Sequence, residues 1–280
     1  MVRSPDKAVD LAAAGVEVAA ADLGDPAALV RAFTGTSAVV SNAALGSWLG
    51  TIEDYRRVNV QGTTHLLDAM RETGVQRLVH ISSVAVGRTR LGRWADEQVE
   101  RYGRTGRRGP WQPSDLTTDW RYALTKSESE QLVRQRMPQV RATILRPGPI
   151  FGPGDPKLSR KYLRMWRRSV CFAPTARVPH VCATDVAAAV ASALVRPVSI
   201  GRTYTLTGAP VSPYDILRCL VRVTGRGPVV IPVPVPTWVG FVNHRATRDL
   251  GFASRPLDET VDAMLRHEGM IGSRAETSAG

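Results

Sequence analysis

The chain has 280 residues, 43% of them apolar and 22% charged, an ordinary globular composition that excludes a disordered or low-complexity polymer. Its formal charge of +12 comes from 37 Lys and Arg against 25 Asp and Glu, with arginine outnumbering lysine 33 to 4. No motif for nucleic acid accompanies that charge, and no apolar run is long enough to predict a membrane span, so neither partner is expected. Cys171, Cys182 and Cys219 show no paired or metal-like spacing, and the five histidines are scattered. A reducing cytoplasm and the absence of a metal site are the expectations.

In chain order, Ser37-Ala-Val-Val-Ser-Asn-Ala-Ala44 is a short apolar run ending in small residues. It predicts a strand whose end lets a flat ring or a diphosphate approach the backbone. Thr51 to Thr73 carries Ile52, Tyr55, Val58, Leu66, Leu67 and Met70 at helical spacings, and Gly74 supplies a stop. Gln76 to Ser83 reads as a buried strand with a polar end at the carboxyl edge of a sheet, where open α/β sheets place ligands. A helix carrying Tyr122 and Lys126 follows, then helices over Thr184 to Arg196, Pro213 to Thr224 and Leu257 to His267, with a strand over Thr203 to Thr207. Val229 to Val242 is apolar but broken by Pro232, Pro234 and Pro236, which predicts a substrate-cleft wall or a hydrophobic lid.

Tyr122 and Lys126 are four apart, which puts both on one helix face at about 5–6 Å between Cβ atoms. A tyrosine phenol near its ordinary pKa of about 10 is a poor proton shuttle, and a neighbouring ammonium favours the phenolate. Ser83 can hydrogen-bond a substrate oxygen on which negative charge develops. The three together predict reduction or oxidation of a carbonyl with a nicotinamide cofactor, which carries the hydride.

Several collinear segments resemble one family: Asp22-Leu23, Asn42-Ala-Ala44, Tyr55-Arg-Arg-Val-Asn59-Val-Gln-Gly-Thr63, Ser82-Ser83, Tyr122 to Lys126, Ile144-Leu-Arg-Pro-Gly-Pro-Ile-Phe-Gly-Pro-Gly-Asp155 and Thr184-Asp-Val-Ala187. With them the chain is identified as a member of the extended short-chain dehydrogenase/reductases of the NAD-dependent epimerase/dehydratase superfamily. The resemblance implies an α/β fold with a Rossmann-type doubly wound parallel sheet and a smaller C-terminal substrate-binding region. Residues 1–150 would form the dinucleotide-binding part and 151–280 the substrate part, with 184–196 packing back on the sheet. Ser83, Tyr122 and Lys126 would be catalytic, Lys126 also contacting the nicotinamide ribose. Asn42, Asn59 and Ser82 would line the cofactor site, Asp22 and Leu23 would face the adenine, and Ala43 and Ala44 the ribose and diphosphate. Pro147 and Ile150 would lie beside the nicotinamide. Arg3 falls where the family reads the adenosine ribose, and arginine there accommodates a 2′-phosphate, so NADP is expected ahead of NAD. Homodimers are common among similar proteins.

Members of the family begin with a strand, a Gly-x-x-Gly-x-x-Gly turn and a helix, and none of these is in the chain. The first expectation is that Met1 is internal to a longer gene product. The alternative is a relative that no longer turns over and serves as a dinucleotide sensor or interaction protein. Nucleotide-sugar epimerases resemble one another in an asparagine three residues after the arginine corresponding to Arg146, and Pro149 stands there instead. A reductase or dehydrogenase of a small hydrophobic or ring-bearing carbonyl, similar to ketone reductases and hydroxysteroid dehydrogenases, ranks ahead of a nucleotide-sugar epimerase or dehydratase. Arg88 to Arg108 holds seven arginines and Lys157 to Arg168 six basic residues. They would be a solvated basic surface or a receptor for an anionic small-molecule substrate.

Overall fold

Asp25 and Pro26 start the first long helix, α1 (Pro26–Phe33): the Asp25 carboxylate accepts the Ala28 N–H at 3.0 Å, and Pro26 occupies the first helical position, where no donor is needed. The computed structural model describes residues 1–46, 49–87, 94–95, 119–235 and 239–272. The seven arginines of the segment Arg88 to Arg108 lie outside them. The chain divides into two units: residues 1–88, 100–146 and 193–203 in the first, and 89–99, 147–192 and 204–280 in the second.

In the first unit, β1 (Ala38–Ser41), β2 (Arg77–Ile81) and β3 (Arg141–Pro147) pair in parallel in that order, Val39 beside Leu78 and Leu78 beside Ala142. The Gly201 N–H donates to the Ala142 carbonyl at 2.7 Å and the Ile144 N–H to the Arg202 carbonyl at 2.9 Å, so the sheet continues beyond β3. β1 ends the strand order, and Val2 forms a separate parallel bridge with Ala20. The fold is a Rossmann-type α/β arrangement with a parallel sheet.

The helix predicted from Thr51 to Thr73 is broken into three pieces. Thr51 and Asp54 form a capping box over Ile52–Tyr55, Arg56–Gln61 is a π-helical turn, and α2 (Gly62–Thr73) ends at Gly74, whose φ of 74° suits glycine. The wider turn was hidden from sequence because i, i+3 and i, i+4 spacings do not register one inserted residue. Gly62 is required where α2 starts against Leu23: a Cβ there would stand 2.9 Å from the Leu23 Cβ. Leu23, Leu29, Phe33, Leu66, Leu67, Met70, Leu78, Ala142 and Ile144 pack as one core with Val133 of α3 (Trp120–Arg136). Leu78→Ala, on the middle strand of these three, is expected to cost about 2–5 kcal/mol in urea unfolding. A loss below about 1 kcal/mol would show that the strand is not tightly packed.

The second unit is built on α4 (Leu158–Trp166), β4 (Val170–Pro174), α5 (Pro213–Thr224), β5 (Val229–Val233) and α6 (Leu257–His267). Phe151, Tyr162, Leu163, Trp166, Ile216, Leu217, Leu220, Val261 and Met264 form its core. Among the described residues the three cysteines are free and buried, no group of His, Cys, Asp or Glu could hold a metal ion, and no helix is long and apolar enough to cross a membrane.

Candidate active site

Helix α3 starts on Asp119, whose carboxylate accepts the Arg121 N–H at 3.1 Å and also the Tyr55 hydroxyl at 2.8 Å. Its next turns carry Tyr122, Lys126, Glu130 and Arg134, one every four residues and therefore on one face. The two chemical ends of that stripe differ. Tyr122 is half-buried and Lys126 only 4% exposed. The Lys126 Nζ donates to the Ile81 carbonyl at 2.6 Å, which fixes the ammonium at the carboxyl end of β2.

Ser82 and Ser83 follow directly on β2. The Ser83 hydroxyl accepts the Ala85 N–H at 3.1 Å and stands close enough to the Tyr122 phenol to act on its ionisation. Burial raises the Tyr122 pKa above 10.0, and the Ser83 hydroxyl opposes that rise. Burial likewise pulls Lys126 down to about 8, with the Glu130 charge holding it up. Tyr122, Lys126 and Ser83 are thus brought together within one unit.

Beneath them lies a buried ionic cluster that sequence reasoning missed. Glu130 is fully buried: its Oε1 accepts from Arg146 at 2.6 Å and from Arg134 at 3.0 Å, and its Oε2 accepts from Arg146 at 2.9 Å and from the Ser82 hydroxyl at 2.9 Å. Desolvation works to raise the carboxyl, but the hydrogen bonds and charges of Arg146 and Arg134 and the Ser82 bond prevail and hold it at about 2. His80, beside Ser129 at 3.4 Å, is pushed down to about 3 by burial and by the Lys126 charge, so its ring is neutral. Its Nδ1 is the one buried side-chain polar atom among the described residues without a partner. Continuing the Tyr122–Lys126 spacing by one turn would have found Glu130.

The expected cofactor residues are placed differently from one another. Arg3 is exposed, and the Val2–Ala20 bridge sets it beside Ala21 and Asp22. The Asp22 Oδ1 accepts the Gly24 N–H at 2.7 Å, while the Leu23 side chain lies in the core and its carbonyl contacts the His65 Nδ1 at 2.8 Å. Asn42, Ala43 and Ala44 are exposed after β1. Asn59, on the π-helical turn, is 2% exposed, and its amide is engaged: Oδ1 takes the Leu45 N–H at 2.7 Å and Nδ2 donates to Thr125 at 3.1 Å. Asn59 therefore clips the segment after β1 to α3. Pro147 is buried and Ile150 half-buried, both in the second unit, where Ile150 pairs with Val181.

A family model described as NAD(P)H-binding matches residues 1–197. The chain belongs to that family. This NAD(P)H-binding protein is a member of the extended short-chain dehydrogenase/reductase and epimerase/dehydratase superfamily. It is 35% identical over 151 residues to a 2-alkyl-3-oxoalkanoate reductase of Stenotrophomonas maltophilia, covering 53% of this chain and 42% of that protein. A 4-hydroxy-2-methyl-3-oxo-4-farnesyl-3,4-dihydroquinoline-1-oxide ketoreductase of Stigmatella aurantiaca is 30% identical over 264 residues, 90% of this chain and 71% of that one. Among solved structures, a UDP-glucose 4-epimerase of Brucella ovis in complex with NAD superposes with a TM-score of 0.76 at 22% identity, over 91% of this chain and 85% of the other. The chain spans 42% of the Stenotrophomonas reductase and 30% of a 3beta-hydroxysteroid-dehydrogenase/decarboxylase of Arabidopsis thaliana. The donor set fits a nicotinamide. An ammonium has three protons, of which the Ile81 carbonyl takes one, and the Lys126 amine shares a helix face with the phenol.

Proposed function

We propose that the protein is an NAD(P)-dependent oxidoreductase that transfers hydride between the nicotinamide and a carbonyl or hydroxyl carbon of a small hydrophobic or ring-bearing substrate. The observation that carries this is the Lys126 ammonium fixed on the Ile81 carbonyl, directly before Ser82 and Ser83, on the helix face it shares with Tyr122. The nicotinamide, when bound, supplies or accepts the hydride. In reduction Tyr122 gives its phenolic proton to the substrate oxygen, and Ser83 donates a hydrogen bond to that oxygen as charge develops. Lys126 stabilises the phenolate left behind and contacts the nicotinamide ribose. Residues 1–150 hold the dinucleotide, with Asp22, Asn42, Ala43 and Ala44 as exposed candidates for its adenosine and diphosphate and Asn59 as the clip that positions them. Ser82 holds Glu130 rather than the cofactor. Pro147 and Ile150 are proposed beside the nicotinamide, and residues 151–280 form the substrate part. Buried free thiols favour a reducing compartment, the cytoplasm.

The reductase names of two relatives support a carbonyl substrate. A second reading, nucleotide-sugar epimerase or dehydratase, draws on the solved epimerases of the same fold. Pro149, which has no amide N–H and no polar side chain, weighs against it.

Titration of the purified chain with NADPH and NADH, followed by nicotinamide fluorescence and then by oxidation of the bound cofactor with hydrophobic ketones, tests this function. A folded chain that binds neither dinucleotide overturns it. Arg3 is exposed and is the proposed reader of a 2′-phosphate, so Arg3→Ala is expected to weaken NADPH about tenfold to a hundredfold and to spare NADH. An unchanged preference removes Arg3 from the site.

A further inference from the structure

The second unit presents a parallel ribbon whose outer face is apolar and, among the described residues, exposed. β4 and β5 pair Val170 with Val229, Cys171 with Val230 and Phe172 with Ile231. Alternation along a strand sends Cys171 and Ala173 into the core, at 3% and 0% exposure, and turns Val170 and Phe172 outward, at 47% and 67%. Val229 at 65%, Ile231 at 37% and Val233 at 39% continue the outward surface on the neighbouring strand. Single exposed apolar residues are ordinary, but five in register on two paired strands form a patch of the kind that marks an interaction surface.

One end of that ribbon is strongly basic. Leu158, Tyr162, Leu163 and Trp166 of α4 face the core, while Arg160, Lys161 and Arg164 face solvent. Arg167 and Arg168, also exposed, stand just before Val170. Arg226 stands three residues before Val229, its guanidinium 5.1 Å from the centre of the Trp166 ring. Because the strands are parallel, Arg167, Arg168 and Arg226 share the amino end of the ribbon. An apolar strip bordered by cations matches an anionic bilayer, whose phosphates accept bidentate guanidinium bonds and whose acyl boundary receives apolar side chains.

We infer that the β4–β5 ribbon docks peripherally on an anionic lipid surface, with Phe172, Ile231 and the flanking valines entering the acyl boundary and the arginines before β4 and β5 meeting the headgroup phosphates. The lack of a spanning helix bears only on crossing a membrane. The inference stands apart from the Tyr122 chemistry, because it uses none of those residues.

Cosedimentation of the full chain with vesicles tests it. At low salt the protein is expected to pellet with vesicles of equal parts phosphatidylcholine and phosphatidylglycerol, to stay in solution with phosphatidylcholine alone, and to be released as salt rises. The triple variant Arg167→Gln, Arg168→Gln, Arg226→Gln is expected to lower partitioning about a hundredfold. Phe172→Ser with Ile231→Ser lowers it roughly tenfold or more. All five positions are solvent-facing, and an unchanged thermal melt by circular dichroism confirms the fold of each variant. Failure to pellet with the anionic vesicles, or wild-type partitioning by both folded variants, overturns the inference. So does a concentration-dependent dimer that Phe172→Ser dissolves in a protein that ignores vesicles, since the ribbon would then cover a second copy.

Discussion

Tyr122→Phe is expected to lower kcat by about 10²–10⁴, the ordinary contribution of a positioned general acid, while dinucleotide affinity stays within about twofold. The substitution removes one oxygen from a half-buried ring and leaves the packing of α3 in place. What it deletes is the phenolic proton donor beside Ser83. Burial raises the phenol above its ordinary value, so at neutral pH the group enters a reduction already protonated, as an acid must. The measurement is steady-state turnover with the best ketone, beside a fluorescence titration of NADPH on the same sample. Equal loss of turnover and of dinucleotide affinity would make Tyr122 a structural residue, and an unaffected kcat would move the acid elsewhere.

The helices with capping signals were legible residue by residue. Pro213 and Gly225 bracket α5 because a proline at the first position and a left-handed glycine after the last are local devices that need no tertiary context. Leu257 to His267 appears as α6 over the same span. The buried strand before Ser82 was legible from Leu78, Val79 and Ile81 and the polar end that follows them. Val170–Pro174 was not, because its two outward positions are apolar and give no alternation, and because its partner Val229–Val233 was read as a proline-broken wall. In the candidate site, Tyr122 and Lys126 announce themselves by spacing. Glu130 lies one further turn along that spacing, but its pairing with Arg146 is not announced, since a buried pair contributed by a helix and a strand becomes visible only when the sheet brings residues 130 and 146 together. Asn59 shows the same gap: its sequence position suggested a cofactor contact, and its amide is spent on Leu45 and Thr125.

Glu130→Gln is expected to have the second large effect, on stability and on pH dependence at once. The carboxylate is fully buried between Arg146 and Arg134, so neutralising it removes a buried charge bonded to both guanidinium groups, at a cost of about 3–5 kcal/mol. Holding the carboxyl at about 2 rather than at its ordinary 4.5 corresponds to about 3 kcal/mol of folding stability at neutral pH. The sign follows from which state binds the proton. A lowered carboxyl pKa favours the folded chain above about 4.5, and that contribution is lost as pH falls from about 4.5 to about 2. His80 adds loss from 6.5 downward, because the unfolded chain takes a proton that the buried ring refuses until about 3. Urea unfolding against pH should therefore show the wild type weakening below 6.5 and more steeply below 4.5, with the steeper part missing in Glu130→Gln. Turnover supplies a readout that stability alone does not move. Carbonyl reduction is expected to decline as pH rises through about 8, where Lys126 loses its proton, and the Glu130 charge holds that pKa up. Removing the charge shifts the alkaline limb of kcat to lower pH. A destabilised variant whose limb stays in place would confine Glu130 to structural support.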